Sequence, residues 1–409
     1  MAQSKLTSLY ALLITAMVLP LTGCAEAMQT EQNGNDNSET ESAEWLGDSF
    51  YFPLPETQGD PIESEELTFY VQTVAEDLGV PWGMAFLPDG HVLISQRNGT
   101  LHLIRDGEVL DTPVANVPEV WARGQGGLLD MTLHPDYEEN GWIYMSYSKP
   151  GDGGANTAVI RTRLNPDAPA LEDIEELYVG TPFSGRGQHF GGRIAFDPEG
   201  YLYFSIGDRG EMETAQDLTK SNGSVIRLND DGSIPEDNPF VGREGLDEIY
   251  TYGLRNIQGM DVHPETGKIW TNEHGPRGGD EINVHSAGAN YGWPEITYGI
   301  NYNGTIITEE TEREGMEQPV TYWDPSIAPS GLTFVTSDRY PGWQGDILNG
   351  ALAFQLISRV EVDGTDFQSE ERILEGIGRI RDIEEAPDGY IYFTNESNGT
   401  LSRIIPIQD

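Results

Sequence analysis

The sequence predicts an all-β chain folded as a six-bladed β-propeller, and three observations carry that prediction. From about residue 65 onward, short alternating apolar stretches are cut by Gly, Asp, Asn and Pro, with little amphipathic helix. Within them one unit recurs: an apolar strand, a turn built on Pro with Asp, Glu or Gly, then an aromatic strand. The unit recurs at roughly blade spacing, and radial repetition of blades leaves only short, protected edges. A pair of β-sandwiches is the next architecture, and it fits the repeats less well.

The chain of 409 residues opens on a targeting segment, residues 1–24. Lys5 supplies its positive end, "LYALLITAMVLPL" an apolar run too short for a comfortable membrane span, and "LTGC" its end. Leu21-Thr22-Gly23-Cys24 resembles the bacterial lipoprotein signal, which implies that Cys24 is lipidated after export. Membrane contact would then run only through the lipid, on the periplasmic or extracellular side of the envelope. An ordinary signal peptide with an incidental cysteine is the weaker alternative. Because Cys24 is the only cysteine, the mature domain has no disulfide, no thiolate metal site and no Cys-x-x-Cys-His for haem. Residues 25–50 are polar and acidic and read as a disordered tether. Residues 51–409 are read as one propeller.

Within that domain "ELTFYVQTV" is expected to complete the last blade and close the ring. The repeats are "WGMAFLPDGHVLISQ", "LLDMTLHPDYEENGWIYMSYS", "GRIAFDPEGYLYFSIGD", "QGMDVHPETGKIWTNEHG", a degenerate "SGLTFVTSDRYPGWQGDILNGAL" and "IRDIEEAPDGYIYFTNES". Their turn prolines, Pro88, Pro135, Pro198, Pro264 and Pro387, step by 47, 63, 66 and 123, the last step being about two repeats. The longer steps leave room for insertions on one face, where a site is built.

Charge excludes one class of partner. With 68 acidic and 23 basic residues the formal net charge is −45, so the surface repels phosphate backbones and nucleic acid is not a partner. Excess carboxylate with little lysine suits a halophilic setting, where salt screens self-repulsion, although an ordinary acidic secreted protein fits equally.

The stretch "GQHFGGRIAFDPEGYLYFSIGDRG", residues 187–210, sets His189 and Asp208 at opposite ends of a hairpin centred on its turn. Regular pairing makes them direct neighbours about 5 Å apart. A carboxylate there holds one imidazole nitrogen protonated and leaves the other free as a base. A purely structural His–Asp pair at a strand end is the other reading. Arg379 and Arg381 in "GRIRD" sit two apart in a strand pattern, so both point to one face. In a chain short of cations, that concentrates positive charge suited to carboxylates. Surface pairing with Asp382 and Glu384 is the alternative. No strand-linked Gly-x-Gly-x-x-Gly is present, which argues against a nicotinamide cofactor.

Together "GQHFGGR…SIGDRG", "YGLRNIQGMDVHP" and "NEHGPRGGDEINVHSAGANYGWP" resemble the pyrroloquinoline-quinone (PQQ) dependent sugar dehydrogenases, of the soluble glucose and aldose sugar dehydrogenase type. The resemblance runs from about Leu78 to the C-terminus and implies a six-bladed propeller that oxidises aldose sugars at C1 to lactones. It implies His189 as general base, Asp208 as its orienting partner, and Arg255 against the quinone carbonyls. Gln125 and Asn256 match cofactor contacts, and Arg379 and Arg381 would hold PQQ carboxylates. Read without the family, a structural ion pair for Arg255 and a turn residue for Gln125 are the alternatives. Gly275-Pro276 match a carbonyl pair on Ca²⁺, and Glu281 with Tyr291 match a second Ca²⁺ site. Relatives commonly carry a lysine where Ala353 falls here. With no haem of its own, the chain would pass electrons to an external acceptor, a quinone or cytochrome. Two other classes stay open: a calcium-dependent lactonase-type hydrolase, and a non-catalytic carbohydrate- or protein-binding propeller.

Overall fold

The computed structural model describes residues 51–407; Cys24, the targeting segment and the tether lie outside them. Six inner strands open blades 1 to 6: Pro81–Phe86, Leu128–Leu133, Gly191–Phe196, Ile257–Val262, Pro329–Phe334 and Ile380–Glu385. They pack side by side in that order, the sixth against the first, around a central channel. From each, antiparallel neighbours step outward as one sheet. Each quoted repeat is the first hairpin of a blade, including the degenerate fifth. The early strand Thr68–Ala75 pairs with Thr400–Pro406 from Phe69↔Pro406 to Ala75↔Leu401, closing the ring in blade 6 as expected. The β-sandwich alternative is thereby excluded.

Alternation explains why the strands are apolar on both sides. Successive side chains leave opposite faces of a strand, and every blade face meets another blade. Leu202 and Phe204 pack toward blade 2 with Tyr144 and Val159, while Tyr203 packs toward blade 4 with Met260 and Ile269. The core is therefore a set of interblade layers. Close approach near the channel depends on small residues. A Cβ on Gly259, in blade 4, would sit 2.3 Å from the Ser330 carbonyl oxygen of blade 5 and 2.6 Å from Asn272 Nδ2. Gly259→Val is expected to cost about 1–3 kcal/mol of stability through overpacking. An unchanged urea midpoint would show that the blades separate without strain.

One irregularity recurs in every blade. Near its start each inner strand shifts register against its neighbour, at Pro81/Met84, Leu128/Met131, Gly191/Ile194, Ile257/Gly259, Pro329/Leu332 and Ile380/Asp382. In blade 3, Ile194 faces Phe204 but Gly191 faces Ile206, so the inner strand carries one extra residue. Without that bulge His189 would come opposite Arg209. With it, His189 meets Asp208. The expectation of direct neighbours in regular pairing is corrected here: both residues lie beyond the strand ends, and a bulge sets their register.

Candidate active site

His189 is buried, with a positive φ of 53°, on the loop that leads into the inner strand of blade 3. Its Nδ1 is 2.6 Å from Asp208 Oδ1. The carboxylate can only accept while ionised, so Nδ1 carries the proton. Asp208 Oδ2 accepts from Trp293 Nε1 at 2.9 Å, and Oδ1 also accepts from the Gly210 N–H at 2.6 Å. Gln125 Oε1 accepts from the His189 backbone N–H at 2.6 Å, which fixes the loop from blade 2. Nε2 makes no hydrogen bond among the described residues.

Electrostatics favour a neutral imidazole. Burial lowers the His189 pKa and Arg255 adds to the shift, outweighing Asp208, which opposes them. Burial alone would raise Asp208, but His189 and Arg255 outweigh it and hold the carboxyl below its ordinary value. The pair is therefore an aspartate anion and a neutral histidine, with a free nitrogen lone pair at Nε2.

Arg255 reaches the same region from blade 4. Its Nη1 donates to the carbonyls of His274 and Gly275, both at 2.8 Å, and its guanidinium lies 5.4 Å from the Trp293 ring centre. Among the described residues Arg255 Nε and Asn256 Nδ2 are buried without a partner, while Asn256 Oδ1 accepts from the Gly191 N–H at 3.2 Å.

A cavity of about 200 Å³ is lined by Gln125, Phe190, Gly191, His274, Arg379 and Arg381, with Ala353 in its wall. Arg379 and Arg381 do converge, but not through regular strand alternation: Arg379 precedes the strand and Arg381 sits at its bulge. Both hold Glu396, Arg379 through Nε and Arg381 at 2.8 Å, and Arg381 Nη1 donates to Gln258 Oε1 at 3.0 Å. Neither pairs with Asp382 or Glu384. Their net contribution to the cavity is thus one positive charge, not two.

Gly275, Glu281 and Tyr291 border a second, very small cavity that also touches Arg255. Burial and the neighbouring Glu273 push the Glu281 carboxyl up to about 8. The Tyr291 hydroxyl donates to the Val284 carbonyl at 2.6 Å. The Gly275 carbonyl expected to serve a Ca²⁺ already accepts from Arg255, and Pro276 follows it in the same turn. Among the described residues no three His, Cys, Asp or Glu side chains are grouped to hold a metal ion.

Several residues here carried no role in the sequence reading. Trp293 lies inside the quoted "NYGWP", and Arg209 follows Asp208 directly. The Arg209 guanidinium lies 3.3 Å from the Phe190 ring centre and holds the carbonyls of Gln188 and Arg186, pinning the histidine loop. Arg97, Gln258 and Glu396 on the cavity wall had no local signal at all.

The fold and these motifs define a class. Residues 78–403 match the family described as Glucose / Sorbosone dehydrogenase, and the chain belongs to it, an oxidoreductase family of propellers. Among particular proteins, the chain is 46% identical over 346 residues to aldose sugar dehydrogenase YliI of Escherichia coli K12, covering 83% of this chain and 93% of that one. The solved apo-form of the soluble aldose sugar dehydrogenase from Escherichia coli superposes with a TM-score of 0.80 at 44% identity, over 83% of this chain and all (100%) of that one. The PQQ-bound form of an aldose sugar dehydrogenase from Streptomyces coelicolor superposes at 0.70 with 26% identity, over 85% and 100%.

Proposed function

We propose that this chain oxidises aldose sugars at C1 to lactones with PQQ as cofactor, His189 acting as general base. The observation that carries the reading is His189 Nε2, free of hydrogen bonds among the described residues, on a loop whose next two residues, Phe190 and Gly191, line an arginine-bearing cavity. A PQQ-bound relative among the solved structures supports it. The residues fit such a group. PQQ is rich in acceptors and carries three carboxylates; the cavity wall carries the guanidinium groups of Arg97, Arg379 and Arg381, while Arg255 Nε and Asn256 Nδ2, outside that lining, are buried donors with no partner among the described residues.

When bound, PQQ supplies the acceptor for the hydride that leaves the sugar C1. His189 takes the proton of the anomeric hydroxyl on Nε2 while Asp208 keeps Nδ1–H in place and stabilises the imidazolium. Trp293 and Gly210 hold Asp208, so the imidazole cannot turn away. Arg255 places fixed positive charge where charge develops on oxygen, a preorganised role. Gln125, Asn256, Arg379 and Arg381 would hold the cofactor. Gly275 and Pro276 would offer carbonyl oxygens to a Ca²⁺ ion, and Glu281 with Tyr291 would hold a second. The electrons would pass to an external quinone or cytochrome. Residues 1–24 and 25–50 would export the chain and tether it by Cys24 to the cell envelope.

Purified protein mixed with PQQ and Ca²⁺ is expected to reduce a dye when given aldoses, and only with PQQ present. Lactone hydrolysis without PQQ would instead favour the hydrolase class. Arg379→Ala with Arg381→Ala is expected to weaken PQQ binding at least about tenfold, the scale of a charge-assisted hydrogen bond. An unaltered titration curve would discard the two arginines as cofactor ligands.

A further inference from the structure

We infer that Arg97 is a further cofactor ligand, the guanidinium that receives a PQQ carboxylate without first surrendering an acidic partner. The inference rests on the PQQ reading above. Arg97 follows the strand Val92–Gln96 of blade 1 and lines the same cavity as Arg379 and Arg381. Those two share Glu396, so together they offer one net charge. Arg97 has no ion pair among the described residues; its side chain makes one hydrogen bond, from Nη1 to the Gly124 carbonyl at 3.0 Å. A guanidinium carries five N–H donors, so most of its capacity is unspent.

Its base is held while its head is not committed. The Arg97 N–H donates to the Val80 carbonyl at 3.0 Å, and its own carbonyl accepts from Leu128 at 3.3 Å. Gly127, at φ +159°, packs so closely that a Cβ there would lie 1.9 Å from the Arg97 carbonyl oxygen and 2.6 Å from its Cγ. The stem is therefore pressed against the start of blade 2, and the Gly124 carbonyl that steadies the head adjoins Gln125, which holds His189. On the blade 5 side the wall is Leu352 and Ala353, which bring no cation. A polyanion in a chain of net charge −45 needs every local cation it can meet, and Arg97 is the uncompensated one on this wall.

The test is an equilibrium titration of the purified full chain, with Ca²⁺ present, using PQQ and PQQ trimethyl ester as probes and no turnover. Arg97→Ala is expected to weaken PQQ by about tenfold to a hundredfold while leaving the ester's affinity equal to that of the unaltered chain. Arg97→Lys is expected to recover part of the loss. Should Arg97→Ala fail to fold, Arg97→Gln, which keeps the stem, carries the same comparison. Equal PQQ affinity in the variant and the parent would overturn the Arg97 assignment and leave the cofactor reading standing. An equal loss for PQQ and its ester would overturn it too, by showing that shape and not charge is lost. Failure of the unaltered chain to bind PQQ would remove the cofactor reading and this inference together.

Discussion

His189→Ala is expected to lower turnover by about 10²–10⁴-fold, the usual contribution of a positioned general base, while PQQ still binds. The loss follows from Nε2 being the uncommitted nitrogen of a neutral imidazole whose other nitrogen is fixed on Asp208. The same geometry sets the pH profile. Acid protonates Nε2 and removes the base, but burial and Arg255 make that cation costly, so protonation requires a pH below the ordinary histidine value of 6.5. kcat/KM of the unaltered enzyme should therefore rise with pH through a midpoint below 6.5 and stay flat above it until another group titrates. Undiminished turnover in the variant would remove His189 from the reaction; a midpoint above 6.5 would show that the imidazole rests protonated.

The second large effect concerns the channel. Arg193, on the inner strand of blade 3, donates through Nη1 to Asp130 Oδ1 of blade 2 at 3.1 Å and Asp382 Oδ1 of blade 6 at 2.6 Å. Its Nη2 reaches the Arg381 carbonyl at 3.0 Å and its Nε the Gln258 carbonyl of blade 4 at 2.6 Å. The guanidinium also lies 4.3 Å from the Trp82 ring centre in blade 1. One buried cation thus ties together five of the six blades and carries two residues of the cavity wall, Arg381 and Gln258. Arg193→Met removes it and leaves two buried carboxylates uncompensated, which costs about 3–5 kcal/mol. Adding Asp382→Asn should recover part of the loss, because one of those charges disappears. A urea midpoint close to that of the parent would show that the channel tolerates paired carboxylates without the arginine.

These two cases also separate what was legible in the sequence from what was not. Blade hairpins were legible because alternation and turn prolines act within about twenty residues, and burial on both faces enforces the pattern. His189 and Asp208 were paired correctly from their numbers, although by a simpler route than the chain takes. The turn is not centred where regular pairing puts it, and the bulge at Gly191/Ile194 restores the match. Arg379 and Arg381 do share one wall, but the halving of their charge by Glu396 is invisible in the sequence because that partner belongs to a different strand end. Arg193 stands inside "GGR" without a local sign that a strand arginine crosses the channel to Asp382, 189 residues away. Trp293 is likewise 85 residues from Asp208. Contacts between blades depend on ring closure, and periodicity carries no record of them.

The question that decides the account is whether a quinone sits where the imidazole and the guanidinium groups meet. Crystals of the apo chain soaked in PQQ are expected to show difference density in the cavity between Gln125, Arg97 and Arg381, with its tricyclic plane within reach of His189 Nε2. Density elsewhere on the molecule, or a cavity left unchanged at saturating PQQ, would contradict it.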